Sequence, residues 1–102
     1  MIVDSLESLN TELDKPLTLV LAKTHPCSVC KNTLNFLHAQ VPKLDAMNIV
    51  EIYIDDHDEF RGKFMIFTVP TVMVYSEGKE LLRESRFIDP HKINRLVEMF
   101  GA

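Results

Sequence analysis

Two cysteines stand three residues apart, Cys27-Ser28-Val29-Cys30, and the 102-residue chain has no others. They follow an apolar run and precede a segment of helical periodicity, which places them at a strand-to-helix junction. Residues three apart lie on one face of a helix, where two sulfurs close into a disulfide with little backbone movement. A dithiol so placed suits electron exchange better than the stapling of a fold. Cys27 takes the helix start, where unpaired backbone N–H groups and the positive end of the helix dipole favour thiolate over thiol. His25 and Lys31 add positive character nearby. Cys27 is therefore the expected nucleophile and Cys30 the resolving thiol.

A metal site is the competing chemistry. Structural zinc takes four ligands, and the chain offers one thiol pair with no spaced second pair. His25 as third ligand and a second subunit would be needed for a dimeric zinc or iron–sulfur site. The redox reading needs no metal and no bound cofactor. His25 itself has two readings: a group that lowers the thiol pKa or shuttles its proton, or an exposed loop residue. Asp55-Asp56-His57-Asp58-Glu59 has the look of a metal cluster, but carboxylates at a helix start are explained by the dipole. His38 and His91 read as solvent-facing helix residues, and Met65, Met73 and Met99 as core-facing or near-core.

The elements that position the pair follow from periodicity. Residues 4–13 carry Leu6, Leu9 and Leu13 at helical spacing, with Asp4 as expected N-cap and Glu7 at the capping-box position. Pro16 stops this helix. Residues 17–23 form a near-continuous apolar run of strand length, as for a central strand covered on both faces. Residues 28–41 place Cys30, Leu34, Leu37 and Val41 on one helical stripe that Pro42 breaks. In residues 49–55 Ile49, Glu51 and Tyr53 alternate with Val50, Ile52 and Ile54, giving a second strand. A short helix over 58–67 is predicted to bury Phe60, Phe64 and Phe67 on one face. A strand over 71–75, a turn at Ser76-Glu77-Gly78-Lys79 and a strand over 80–85 make a hairpin. Asp89 as N-cap and Pro90 at the first helical position open a last helix with Ile93, Leu96, Val97 and Phe100 on one side, ended by Gly101.

This order predicts one α/β domain over residues 1–102: a mixed sheet of four strands, or five if residues 1–3 add a short one, between helices on both faces. Alternating strands and helices imply parallel pairing, and the hairpin adds an antiparallel edge. An apolar fraction of 46% and a charged fraction of 25% exclude disordered and fibrous classes. The net charge of −4, with no basic stripe, argues against nucleic acid as a partner. The longest apolar run is far short of the ~20 residues that cross a membrane. The amino terminus lacks the pattern of a secretory signal, so the cytoplasm is the expected compartment. There a lone cysteine pair is transient and catalytic.

Taken together, Cys27-x-x-Cys30-Lys31, Tyr53-Ile54-Asp55 at a strand end, Val69-Pro70-Thr71 before the next strand and Gly78 in the hairpin resemble the thioredoxin family over nearly the whole chain. The resemblance implies the thioredoxin fold and a thiol-disulfide oxidoreductase that reduces protein disulfides. Its partners would be disulfide-containing protein substrates and an external thiol reductase, and a monomer is expected. It further implies that Pro70 is cis and that Val69 offers its backbone to an extended substrate strand. Several positions depart from the family. Pro26 replaces the Trp before the first cysteine, and Ser28-Val29 replaces Gly-Pro, a change that makes the disulfide more oxidising, to roughly −200 to −270 mV. Leu21 stands where the family buries an Asp that serves the second thiol. Glu51 stands where it has a Lys, and reads either as a replacement base or as a solvated strand-end residue. Arg86 replaces a Gly beside the substrate groove, narrowing it in favour of acidic or specific partners. A glutaredoxin shares Thr68-Val69-Pro70, but its Gly-Gly segment is missing from residues 81–88. The alternative of another class is a redox-inert adaptor that keeps the fold, in line with Leu21, Glu51 and the missing Trp.

Overall fold

The computed structural model describes residues 1–100. Helix α1 (Leu6–Leu13) is capped by Ser5, whose hydroxyl accepts the Ser8 N–H at 3.1 Å. The cap is one residue later than the expected Asp4, because Ser5 is the extended residue three positions before an unpaired helical N–H. Strand β1 (Thr18–Lys23) is buried at every residue but its last. Helix α2 (Ser28–Gln40) stops two residues short of Pro42, with Val41 as its C-cap. A 3₁₀ turn, Leu44–Ala46, then leads to β2 (Asn48–Tyr53), in which Val50 and Ile52 are buried while Ile49, Glu51 and Tyr53 are half-buried.

Helix α3 (Asp58–Phe64) is shorter than predicted. Met65 turns left-handed at φ 53°, its N–H and that of Ile66 both bond the Arg61 carbonyl, and the helix closes there. Arg83 then donates to the freed carbonyls of Phe64 at 2.8 Å and Met65 at 3.3 Å. Phe60 and Phe64 are buried as expected, but Phe67, beyond the reversal, is 82% exposed. The same turn puts Met65 in solvent, and Met99 is exposed as well, so of those three methionines Met73 alone is in the core.

Strands β3 (Thr71–Ser76) and β4 (Lys79–Ser85) flank a two-residue turn in which Glu77 and Gly78 both have positive φ, 49° and 84°. Helix α4 (Pro90–Phe100) opens with Asp89 Oδ1 accepting the His91 N–H at 2.9 Å, as predicted. Ile93 and Val97 are buried and Leu96 partly so, but Phe100 is 45% exposed. The expected stop at Gly101 lies outside the described residues.

The strands form one sheet in the order β2-β1-β3-β4. β1 and β2 are parallel; β3 is antiparallel to β1, against expectation. Ala22 of β1 pairs with Ile52 near the end of β2 and with Thr71 at the start of β3, so the connection through α3 returns to the end of the sheet it left instead of crossing to the other. Residues 1–3 contribute a single parallel bridge, Ile2 to Glu51, rather than a fifth strand. Successive side chains point to opposite faces of the sheet. Val20, Val50, Ile52 and Met73 pack with Leu9 of α1 and Phe60 of α3 on one face. Leu19, Leu21, Val72 and Val74 pack with Leu37 of α2 and Ile93 of α4 on the other. β1 and β3, covered on both faces, hold the two residues runs that lead into the cysteines and out of Pro70.

Candidate active site

A turn over residues 24–27, closed by the Cys27 N–H on the Thr24 carbonyl at 3.3 Å, carries the chain from β1 to α2. Cys27 is the N-cap of that helix, its Sγ accepting the Cys30 N–H at 3.2 Å. The two cysteines form a disulfide with their Cα atoms 5.4 Å apart, well within the ordinary span. Their environments differ. Cys27 is half-buried, whereas Cys30 is 2% exposed. When the bond is reduced, the sulfur at position 27 faces a helical N–H and the positive dipole end, which stabilise a thiolate.

The Val69–Pro70 peptide is cis, as the resemblance implied. Pro70 is buried and Val69 half-buried. Arg86 locks this loop to the turn after β4: its backbone N–H bonds the Pro70 carbonyl at 3.0 Å and its Nε reaches Thr68 Oγ1 at 3.4 Å. Arg86 itself is exposed and left-handed, at φ 67°. Together with Val29 of the cysteine loop, Phe36, Phe87 and Ile88 it borders a groove of about 310 Å³. The structure thus brings the cysteine loop and Arg86 to one concave surface. Phe36 and Phe87 were not read from the sequence as site residues; Val29, Asn32 or Thr33, and Phe36 recur at helical spacing and mark this second face of α2.

A polar network holds the loop that precedes Cys27. His25 stacks flat on Tyr53 at 3.9 Å, its Nε2 lies 3.0 Å from Asp56 Oδ2, and its backbone N–H bonds Asp55 Oδ2 at 3.1 Å. Asp55 and Asp56 therefore anchor the loop ahead of Cys27, while Asp58 and Glu59 occupy the first turn of α3, where the dipole accounts for them. The ligating atoms of His25, Asp55 and Asp56 lie within 4.8 Å of one another, a closeness these hydrogen bonds explain. Lys23 joins the same network, its Nζ 4.7 Å from the Tyr53 ring centre and 2.7 Å from Glu51 Oε1.

Glu51 lies within β2, its side chain 19% exposed, and its carboxylate is bound to Lys23. Burial pulls the Lys23 ammonium down, but hydrogen bonds to Glu51 and Tyr53 outweigh it and hold Lys23 above the ordinary lysine value. Leu21, directly across the β1–β2 ladder from Glu51, is fully buried. Pro26, Ser28, Val29 and Lys31 are exposed around the disulfide. His38 and His91 are exposed as expected.

The hydrogen bond to Asp56 raises the His25 pKa, with the Asp56 and Asp55 charges adding and burial opposing. The folded state therefore binds the proton more tightly than the unfolded chain. Its stabilising contribution is complete below about pH 6.5 and is lost as pH rises through the raised folded value. Chemical denaturation of wild type and His25→Gln across this range is expected to show a stability difference that shrinks with increasing pH. A difference that is flat with pH would detach the imidazole charge from the loop anchor.

The chain is 36% identical over 78 residues to the thioredoxin-like protein YdfQ of Bacillus subtilis (strain 168), a match covering 72% of this chain and 70% of that protein. It is 25% identical over 95 residues to a thioredoxin of Chlamydia caviae, covering 93% of each. Among solved structures, a mutant thioredoxin from Halobacterium salinarum NRC-1 has a TM-score of 0.82 at 14% identity, covering 100% of this chain and 90% of that one. No family model matches the chain. No helix among the described residues is long and apolar enough to cross a membrane.

Proposed function

The chain has the thioredoxin fold and belongs to the thioredoxin-like proteins, and from that membership we propose that it is a thiol-disulfide oxidoreductase that reduces protein disulfides through Cys27 and Cys30. The observation that carries this reading is the asymmetry of the pair: a half-buried cysteine whose sulfur caps a helix, disulfide-bonded to a buried cysteine a single turn away.

In the reduced protein the Cys27 thiolate attacks one sulfur of a substrate disulfide. The substrate S–S bond breaks, the first substrate thiolate leaves and takes a proton from solvent, and Cys27 is left in a mixed disulfide. Cys30 then loses its proton and attacks the Cys27 sulfur, which forms the Cys27–Cys30 bond and releases the second substrate thiolate. The substrate gains two electrons and the protein loses two. An external dithiol reductant returns them, so no bound cofactor is required. Val69 and Pro70 supply the edge on which a substrate strand lies, and Arg86 borders its path. The expected setting is the cytoplasm, with the protein acting as a monomer. The ion pair that holds Glu51 favours a tuning role for this residue, exerted through Lys23 and Tyr53, over direct proton abstraction.

The test is equilibration across a thiol redox buffer, trapping with an alkylating reagent and reading intact mass at each potential. One two-electron transition between roughly −200 and −270 mV is expected. Thiols that never pair would favour the redox-inert adaptor, and thiols that react only after a metal is stripped would favour the metal site.

A further inference from the structure

Arg86 stands where its own backbone disfavours it. At φ 67° an L side chain crowds the main chain and glycine is the residue that fits. The side chain is not there for a structural ion pair, since it has none among the described residues. Its one side-chain hydrogen bond, Nε to Thr68 Oγ1 at 3.4 Å, fixes the direction of the arm. Both terminal nitrogens remain without a partner among the described residues, in the planar fork that grips a carboxylate with two hydrogen bonds.

The surface beside this guanidinium is apolar. Val29 is 63% exposed, Phe36 45% and Phe87 89%, and all three border the same groove, which no acidic side chain among the described residues lines. At about 310 Å³ it has the size of a small ligand cleft. Val29 lies between the two cysteines, so whatever fills the groove is the stretch of chain next to the disulfide under attack. The charge of the protein does not favour acidic partners: it is −4 overall. An unpaired cation over an apolar groove is thus a local selection, set against the global field.

Resting on the oxidoreductase reading above, we propose that the groove between α2 and the turn after β4 selects substrate proteins whose disulfide cysteine is flanked by a bulky apolar residue and an acidic one. The apolar side chain enters between Phe36 and Phe87, and Arg86 forks onto the carboxylate. The exchange step is unchanged; Arg86 and the groove orient the substrate sulfur toward Cys27.

The test uses short synthetic peptides, each holding one cysteine as a disulfide with mercaptoethanol and flanked by Leu and by Glu, Gln or Lys. The pre-reduced protein is mixed with each, and the rate of peptide thiol release is read by chromatography. The Glu peptide is expected to react about five- to tenfold faster than the Lys peptide at low salt, with Gln between. This ratio is expected to fall within about twofold at high salt and in Arg86→Gln, but to persist in Arg95→Gln, which removes an equal charge from an exposed position on α4. Replacing the peptide Leu by Ser is expected to slow wild type and to matter little in Phe87→Ser. Equal rates for the three peptides, or a preference that survives Arg86→Gln, overturn the selection while leaving disulfide reduction in place. Failure to reduce even the neutral hydroxyethyl disulfide removes the oxidoreductase reading first, and the selection with it.

Discussion

Cys27→Ser is expected to lose disulfide reduction by on the order of 10³-fold or more, whereas Cys30→Ser is expected to perform the first attack and stop. The difference follows from burial. Cys30 is 2% exposed, so on the proposed mechanism it is expected to act on the sulfur beside it and not on a protein substrate directly. That intramolecular step is fast because the two residues are already held on one helical turn. Without Cys30 the mixed disulfide has no positioned nucleophile to resolve it, so it accumulates. Neither change threatens the helix start: serine is a better N-cap than cysteine, and its hydroxyl can accept the residue-30 N–H that Cys27 Sγ accepts now. Intact mass after mixing Cys30→Ser with a disulfide-bearing protein should show a covalent adduct that dithiothreitol releases. Undiminished turnover by Cys27→Ser, or no adduct with Cys30→Ser, would reverse the assigned roles or remove them.

Leu21→Asp, which restores the acid that the family buries beneath the second thiol, is expected to cost at least about 3 kcal/mol of stability at pH 7. Leu21 is fully buried against the apolar side chains shared by α2 and α4. The substitution removes that contact and desolvates a carboxyl group, while Lys23, two residues along β1, is already paired with Glu51. Desolvation raises the folded-state pKa of the new Asp above its unfolded value of about 3.9. The ionisation penalty is therefore absent below that value, grows as pH rises, and levels off above the folded pKa. Leu21→Asn makes a comparable cavity without titrating and should lose stability independently of pH. Denaturation of both variants between pH 4 and pH 8 separates the two contributions. Identical, flat profiles would mean that water or Lys23 reaches position 21. Since a domain of this size is stable by about 5–15 kcal/mol in all, the expected loss is a large share. Position 21 is apolar here, and the charge pair joins Glu51 to Lys23, two residues further along β1.

The legible parts of the fold were those that local chemistry dictates. The apolar run of β1, the alternation in β2, the Glu77-Gly78 turn and the Asp89-Pro90 helix start each rest on a few adjacent residues, and the structure reproduces all four. Phe67 was misplaced because the helical spacing of three phenylalanines continues past the point where the helix ends. What ends it is Met65 in a left-handed conformation, with its exposed carbonyls taken up by Arg83, 18 residues further on. Nothing local to Met65 announces that partner. The antiparallel setting of β3 is non-local in the same way, since strand direction depends on the end of the sheet at which the whole connection re-enters.

The site divides in the same way. Sequence alone determined the dithiol and its place at a helix start, because a helix N-terminus and a three-residue spacing are local properties of the backbone. It also fixed which positions depart from the family. Only the tertiary structure decided what those departures do. Glu51 became half of an ion pair because Lys23 lies beside it across a parallel ladder, His25 became an anchored ring because Tyr53 stacks on it and Asp56 meets its Nε2, and Arg86, without an ion-pair partner among the described residues, came to border a groove because residues 29, 36 and 87 meet there. Each outcome depends on groups from different elements meeting in space, and such meetings are set by the packing of the sheet and its helices rather than by any stretch of chain read alone.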